Sequence, residues 1–258
     1  MQIVITDKTK VIQLVTIFRH LKSLTEMVNI ILTEDKFYIQ GLDASHACLI
    51  EISILAEWFD SYESESLTLG VSCEILFKVI NCWKEKQAIT MESSYGGDKL
   101  FINFAGEKTL TKDFALPLIN IETDVMTIPA TEYQVDLALG SEIFKELINE
   151  QAIFSDTINF KSADDTVSMV ANGDSGRMNI TINDDDIEEL AIEEDFELDT
   201  SAGINYVSHV CNFAKLNPII YIHCSEGSPI KFHYSLDEED SVESKSFARF
   251  FVAPKIDD

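Results

Sequence analysis

The apolar pattern of this chain repeats at an offset of 130 positions, and that repeat limits the folds open to it more than any other feature. Val28, Ile30, Phe37, Ile39, Cys48, Ile50 and Ile52 alternate with other residues, and the positions 130 further on hold Ile158, Phe160, Val167, Met169, Met178, Ile180 and Ile182. Alternation with a period of two marks strands with one buried face. A turn at Asp35 is matched by one at Asp165. Four stretches have helical period instead. They run over about 9–22 (Val11, Leu14, Val15, Ile17, Phe18, Leu21), 72–83 (Ile75, Leu76, Val79, Ile80, Trp83), 141–149 (Ile143, Phe144, Leu147, Ile148) and 203–215 (Tyr206, Val207, Val210, Phe213, Ala214). Ser72 is placed to cap the second of them. The first and third stretches start about 130 residues apart, as do the second and fourth. The pattern predicts an α+β fold of two similar domains, each a helix pair against a mostly antiparallel sheet. The boundaries that follow are 1–117, a connector at 118–134, and 135–258. The connector has no counterpart in the repeat. It is bracketed by Pro117 and Pro129 and is unusually apolar, with Ile121, Val125, Met126 and Ile128 needing something to face.

The 258 residues are enough for a sizeable core. No apolar run approaches the ~18 residues of a membrane span, and residues 1–8 lack the basic-then-apolar layout of a secretory leader. Cys48, Cys73, Cys82, Cys211 and Cys224 are odd in number, form no CxxC and sit in apolar settings. They read as buried thiols of a reducing compartment. The net charge of −26 keeps nucleic acid away on average, so the placement of the few cations decides. Acids crowd at Asp184–Asp186, Glu188, Glu189, Glu193–Asp195, Glu197, Asp199 and Asp237–Asp240. Such runs are ordinarily solvated turns and carry no metal-site expectation. The five histidines do not fall at metal-ligand spacing, and no phosphate-binding, dinucleotide or nucleophile-elbow motif occurs. No cofactor and no catalytic residue is expected.

The unburied faces of the four helices are the informative remainder. They carry Gln13, Thr16, Arg19, His20 and Lys22; Glu74, Lys78, Asn81 and, just after, Lys84 and Lys86; Glu142, Lys145, Glu146 and Asn149; and Asn205, Ser208, His209, Asn212 and Lys215. For so acidic a chain these faces are poor in acid, as a surface tolerating phosphates would be.

Gly41-Leu42-Asp43-Ala44-Ser45-His46, Trp58-Phe59-Asp60-Ser61-Tyr62, Ile128-Pro129 with Glu132-Tyr133, and the tail Val252-Ala253-Pro254-Lys255-Ile256 occur in that order along the chain. In these motifs, in length and in the tandem halves, the sequence resembles the proliferating cell nuclear antigen family, the eukaryotic DNA sliding clamp. The resemblance implies a head-to-tail homotrimer, a ring lined by helices and closed by edge strands. It implies that the ring encircles duplex DNA without reading sequence, tethers DNA polymerase and other replication and repair proteins, catalyses nothing and is opened by a clamp loader. The nucleus is the implied compartment, or a cytoplasmic replication site for a viral source. By the same resemblance, Thr16, Arg19, His20, Lys22, Lys78, Asn81, Lys84, Lys145, Asn149, Ser208, His209, Asn212 and Lys215 face DNA. A partner peptide with a hydrophobic-aromatic plug is received by Leu42, Ala47, Leu49, Met126, Ile128, Pro129, Tyr133, Pro229, Phe251, Val252, Ala253 and Pro254. The ring contact is made by 108–116, including Lys108, Thr109, Leu110, Thr111, Lys112, Asp113 and Phe114, and by 175–183, including Ser175, Arg177, Met178, Asn179, Ile180 and Thr181. The departures are few basic residues in the lining, Asp164 at the position of the family's modified lysine, and Phe251 in place of a tyrosine. Two other readings compete: a checkpoint-type subunit of a heterotrimer, and an acidic scaffold that mimics DNA. The intact tail and connector motifs oppose the first, and the acid-poor helix faces oppose the second.

Overall fold

A computed structural model describes residues 1–163, 166–183, 187–194, 196–237 and 244–255. Asp164, Asp165, Asp184–Asp186, Asp195, Glu238–Asp240 and Ile256, which entered the reading above, lie outside the described residues. The chain divides into two compact units. The first comprises Met1–Ala44, Ile50–Met126 and Ser235–Ala248, and the second Ser45–Leu49, Thr127–Tyr234 and Arg249–Asp258.

The first unit holds strands β1 (Gln2–Ile5), β2 (Met27–Leu32), β3 (Lys36–Leu42), β4 (Cys48–Leu55, from Ile50 on), β5 (Ser61–Glu63), β6 (Leu67–Ser72), β7 (Ala88–Glu92), β8 (Lys99–Ala105) and β9 (Lys112–Pro117), with helices α1 (Lys8–His20) and α2 (Cys73–Ile80). The second holds β10 (Val135–Gly140), β11 (Thr157–Ala163), β12 (Thr166–Gly173), β13 (Gly176–Ile182), β14 (Glu189–Ile192), β15 (Leu198–Gly203), β16 (Ile219–Cys224), β17 (Ile230–Ser235) and β18 (Phe247–Val252), with α3 (Ser141–Gln151) and α4 (Ile204–Cys211).

The strand orders of the first unit are β5-β1-β7-β8-β9 and β4-β3-β2-β6; those of the second are β14-β10-β16-β17-β18 and β13-β12-β11-β15. Adding nine to each strand number of the first unit gives the second, so the duplication holds at the level of topology. It holds for register too: Ile30 faces Ile39 across β2–β3, and Phe160 faces Met169 across β11–β12, each 130 residues on. A one-residue slip would turn a whole apolar face to solvent, so the alternation specifies this register.

In the first unit Phe18, Phe37, Phe59, Trp58 and Tyr62 form a chain of ring contacts from α1 to β5, with centroids 5.0–6.3 Å apart. Trp58 donates its Nε1–H to the Leu236 carbonyl at 2.9 Å, so a large apolar ring is buried without an orphan donor. In the second unit Phe144 of α3 meets Phe232 at 6.0 Å, and Phe213 meets Phe250 at 4.7 Å. Asp7 caps α1 through Lys10 N–H at 3.0 Å, and Ser72 caps α2 through Ile75 N–H, as its position predicted. Among the described residues no helix is long and apolar enough to cross a membrane.

Three expectations change. Cys82 is exposed, whereas Cys48, Cys73, Cys211 and Cys224 are buried, because Cys82 lies in the turn beyond α2. Thr16 and Gln13 are buried on α1, because that helix packs on both α2 and β7 and so buries a wider arc than its apolar stripe. The Thr16 hydroxyl donates to the Ile12 carbonyl at 2.8 Å, which removes the cost of burying it. Ile75 and Ile143, assigned to apolar faces, are exposed at the flanks of α2 and α3.

Candidate functional site

The connector is extended and carries no strand or helix from 118 to 134, yet it is fastened at several points to the first unit. Leu118 N–H donates to the Asp98 carbonyl at 2.8 Å, and Ile119 N–H to Gly70 at 2.9 Å. Position 70 requires glycine for this approach: a Cβ there would stand 2.1 Å from the Ile119 carbonyl oxygen. Asn29 Nδ2 then donates to the Ile121 carbonyl at 3.1 Å. Gln40 closes the series with a reciprocal pair, Nε2 to the Met126 carbonyl at 2.9 Å and Met126 N–H to Oε1 at 2.7 Å. Backbone held this way leaves Val125 and Met126 largely exposed, 51% and 42%. Leu42, the other proposed pocket residue of this unit, is half-buried.

In the second unit the tail and the loop after β3 are joined by Ala253 N–H donating to the Ala47 carbonyl at 2.8 Å. Ile128, Tyr133, Phe251, Ala253, Pro254, Ala47 and Leu49 are half-buried, and Pro129 and Pro229 exposed. Val252 departs from the expected set. It is fully buried, because in the alternation of β18 its side chain falls on the core face. The Tyr133 ring packs against His223 with centroids 5.5 Å apart, and Lys231 Nζ lies 5.7 Å from the Tyr133 centroid. Burial pushes the Tyr133 phenol up to about 12. His223 Nδ1 is 2.5 Å from Asp136 Oδ1, across the β10–β16 register, and its Nε2 is buried without a partner. Burial holds this imidazole below the ordinary histidine value, against the opposing pull of Asp136. Neither His223 nor Asp136 was singled out by sequence. They are 87 residues apart, and only strand pairing joins them.

Each unit also ends in an edge strand with one open side. Among the described residues β9 pairs with β8 alone, and β13 with β12 alone. Asp113, Phe114, Asn179, Ile180, Met178, Arg177 and Thr181 lie on these strands, largely exposed or half-buried. Lys108, Thr109, Leu110 and Thr111 precede β9, which starts at Lys112, and Ser175 sits in the turn before β13. Leu110 is 84% exposed. Two other edges are covered. Ile119 bonds the open side of β6, and Lys255 N–H donates to the Ser201 carbonyl of β15 at 2.8 Å.

On the helices and just after them, Lys22, Lys78, Asn81, Lys84, Asn149 and Lys215 are exposed, and Arg19, His20, Lys145, Ser208, His209 and Asn212 are half-buried. Thr16 is withdrawn from the surface. Several cations are already engaged. Lys78 pairs with Glu74 at 2.7 Å, Lys145 with Glu142 at 3.5 Å, and Lys22 Nζ lies 3.3 Å from the Phe77 centroid. Among the described residues no cluster of three or more metal-ligating side chains occurs.

Two family profiles match the chain end to end: proliferating cell nuclear antigen, N-terminal domain, over residues 8–127, and proliferating cell nuclear antigen, C-terminal domain, over 127–255. The chain belongs to the proliferating cell nuclear antigen family. It is 26% identical to the proliferating cell nuclear antigen of Saccharomyces cerevisiae over 244 residues, covering 92% of each chain. It is 25% identical to the probable DNA polymerase sliding clamp 2 of Paramecium bursaria Chlorella virus 1, covering 99% of this chain and 91% of that one. A crystal structure of a PCNA2–PCNA3 complex from Sulfolobus tokodaii has the same fold, with a TM-score of 0.87 over 99% of both chains at 21% identity. Within the proliferating cell nuclear antigen family this chain is thus a distant member, and the connector motif and the tail as far as Lys255 lie inside the matched span.

Proposed function

We propose that this chain is one protomer of a homotrimeric sliding clamp that encircles duplex DNA and acts as a processivity factor for DNA polymerase. The observation that carries the reading is the pair of open edges, β9 in one unit and β13 in the other. Unpaired edges are a liability that proteins cover or keep short; β6 and β15 are covered, β5 and β14 have only three and four residues, and among the described residues β9 and β13 are the long edges without cover. Pairing β9 of one protomer with β13 of the next is a heterologous contact, which makes a ring where the rotation closes. Residues 1–117 and 135–258 are then its domains and 118–134 its connector. The connector and tail form the docking site for a partner peptide with a hydrophobic-aromatic plug, delivered by polymerases and repair proteins; a clamp loader opens the ring. The acid-poor helix faces tolerate phosphate through Arg19, Lys84 and Lys215, with the other lysines partly neutralised. The protomer catalyses nothing. It works where the DNA is copied, in the nucleus or at a cytoplasmic viral replication site.

The test is the mass of the purified protein at micromolar concentration, followed by polymerase processivity on circular and on open linear templates. A trimer that supports long products only on the circle is the expected result; a monomer without effect on product length defeats the reading. A second reading is a subunit of a mixed ring, favoured by the two different chains in the PCNA2–PCNA3 structure. It predicts a monomer alone and a trimer on adding the missing chains.

A further inference from the structure

Gln2 of β1 stands opposite Glu63 of β5 on one side and Glu92 of β7 on the other, and Glu92 stands opposite Phe101 of β8. Residues paired across strands share a face of the sheet, so these four form one row, and all four are exposed. Their chain neighbours Ile3, Met91 and Ile102 are buried on the other face. Strands lie about 4.8 Å apart, which sets Glu63 and Glu92 about 10 Å from one another. Gln2 Nε2 donates to Glu92 Oε1 at 2.7 Å and steadies that carboxylate.

Beyond the row, β7 runs into a turn in which Gly97 N–H donates to the Ser94 carbonyl at 2.9 Å and Gly96 takes a φ of +71°. The turn holds Tyr95 at its tip, 86% exposed, and Phe101 is 49% exposed. The row, the turn and the residues after β5, Glu65 among them, enclose an open cleft of about 840 Å³. Among the described residues that line it there is no lysine or arginine, and the Met1 amine is engaged by the Ser93 carbonyl at 2.9 Å. Glu63, Glu65 and Glu92 form no ion pair among the described residues.

Acid alone would be ordinary solvated surface on a chain of net charge −26. Two large rings exposed beside it are not, and the two chemistries have one complement in common. A guanidinium is planar, stacks on an aromatic face and forks onto a carboxylate, whereas an ammonium pairs with the carboxylate only as a point charge. Residues on the same side of an extended segment are about 7 Å apart, so arginines at alternate positions reach both ends of the row.

We propose that this cleft on the solvent face of β5, β1, β7 and β8 docks an arginine-bearing segment of a partner protein, its guanidinium groups stacked on Phe101 and Tyr95 and paired with Glu63 and Glu92. Every residue it uses belongs to the first unit, so it does not depend on assembly into a ring or on the connector.

The test uses labelled nonapeptides that alternate serine with arginine, with lysine or with glutamine, with binding to the full chain read by fluorescence anisotropy at low salt. The arginine peptide should bind, the lysine peptide several-fold more weakly, and the glutamine peptide not at all. Glu63→Gln with Glu92→Gln should weaken the arginine peptide about tenfold, the worth of two exposed ion pairs. Tyr95→Ala with Phe101→Ala should weaken it about fivefold and bring it level with the lysine peptide. Glu188→Gln with Glu189→Gln, which removes the same charge from the second unit, should change nothing. Tyr95→Ala alone removes an exposed ring at a turn tip and keeps the test open should Phe101→Ala unfold the sheet. Equal binding of the arginine and lysine peptides overturns the proposal, as does an equal loss in the second-unit variant, which would make the attraction that of the whole acidic chain. Binding that survives all the first-unit substitutions, or no binding of the arginine peptide, overturns it too.

Discussion

His233 is fully buried on β17, takes a hydrogen bond from Arg249 Nε–H at 3.1 Å and meets the edge of Tyr221. Burial, then the nearby Arg249, Lys231 and His223, bring its pKa down to about 2. A depressed folded-state value means that the unfolded chain binds a proton first as pH falls. The stability is therefore complete above about 6.5, the ordinary histidine value, and is lost progressively below it. His223 acts in the same direction. The expected outcome is a stability that declines below that pH, and a His233→Gln variant whose decline is shallower by about 1.4 kcal/mol per pH unit. Urea unfolding at pH 7, 6 and 5 measures it, and parallel curves for the two proteins would refute the assignment. Cysteine chemistry gives a second expectation at this scale. Burial pushes the Cys73 and Cys211 thiols up to about 12, and Cys48 and Cys224 are also buried, so folded protein diluted until it is unassembled should offer one accessible thiol, Cys82, and five after unfolding.

Hydrogen bonds from side chain to backbone make the connector an element in its own right. Gln40 alone supplies two of its fastenings. Gln40→Ala should release the segment near Met126, change global stability by less than about 1 kcal/mol, and weaken peptide binding several-fold because the segment must then be ordered on docking. Amide exchange across 119–127 and fluorescence anisotropy with a labelled peptide carrying a hydrophobic-aromatic plug check both halves of this. On the helices, the Glu74–Lys78 and Glu142–Lys145 pairs hold back charge that phosphates would otherwise meet. Replacing both glutamates by glutamine should tighten DNA binding at low salt and steepen the log–log salt slope by about 0.9 for each lysine that reaches a phosphate; an unchanged slope would mean that these lysines do not face DNA. How legible such elements are in sequence depends on their geometry. Strands have only two faces, so Ile30 and Phe160 could be placed, with their partners, from alternation alone. Helices have a continuous circumference, and the arc a neighbouring helix covers is absent from the period; Thr16, Ile75 and Ile143 were misplaced for that reason. The motifs of the connector and tail marked most of the residues proposed to receive a peptide. The Gln40 clasp and the His223–Asp136 pair were hidden, since each joins residues more than eighty positions apart through a register that local pattern does not encode.

At the scale of the whole molecule the duplication and the open edges belong to one argument. By the nine-strand offset β9 corresponds to β18 and β13 to β4, so the two open edges, six and seven residues long, are different strands of the repeated unit and can complement one another. Lone edges of that length and accessibility would favour uncontrolled strand addition unless a defined partner occupies them. A second copy supplies one at each end. Lysine placed on such an edge disfavours pairing, so Ile180→Lys, a half-buried position of β13, should convert the assembly to monomer at micromolar concentration while leaving each unit folded. Cys82 offers an internal readout, because the side chain of Lys112, the first residue of β9, bonds to the Cys82 carbonyl. Assembly through β9 should cover this thiol, so that its labelling slows as protein concentration rises and becomes concentration-independent in Ile180→Lys. Light scattering and thiol labelling must move together. A variant that stays trimeric, or a thiol equally reactive at every concentration, would place the subunit contact elsewhere and take the ring with it.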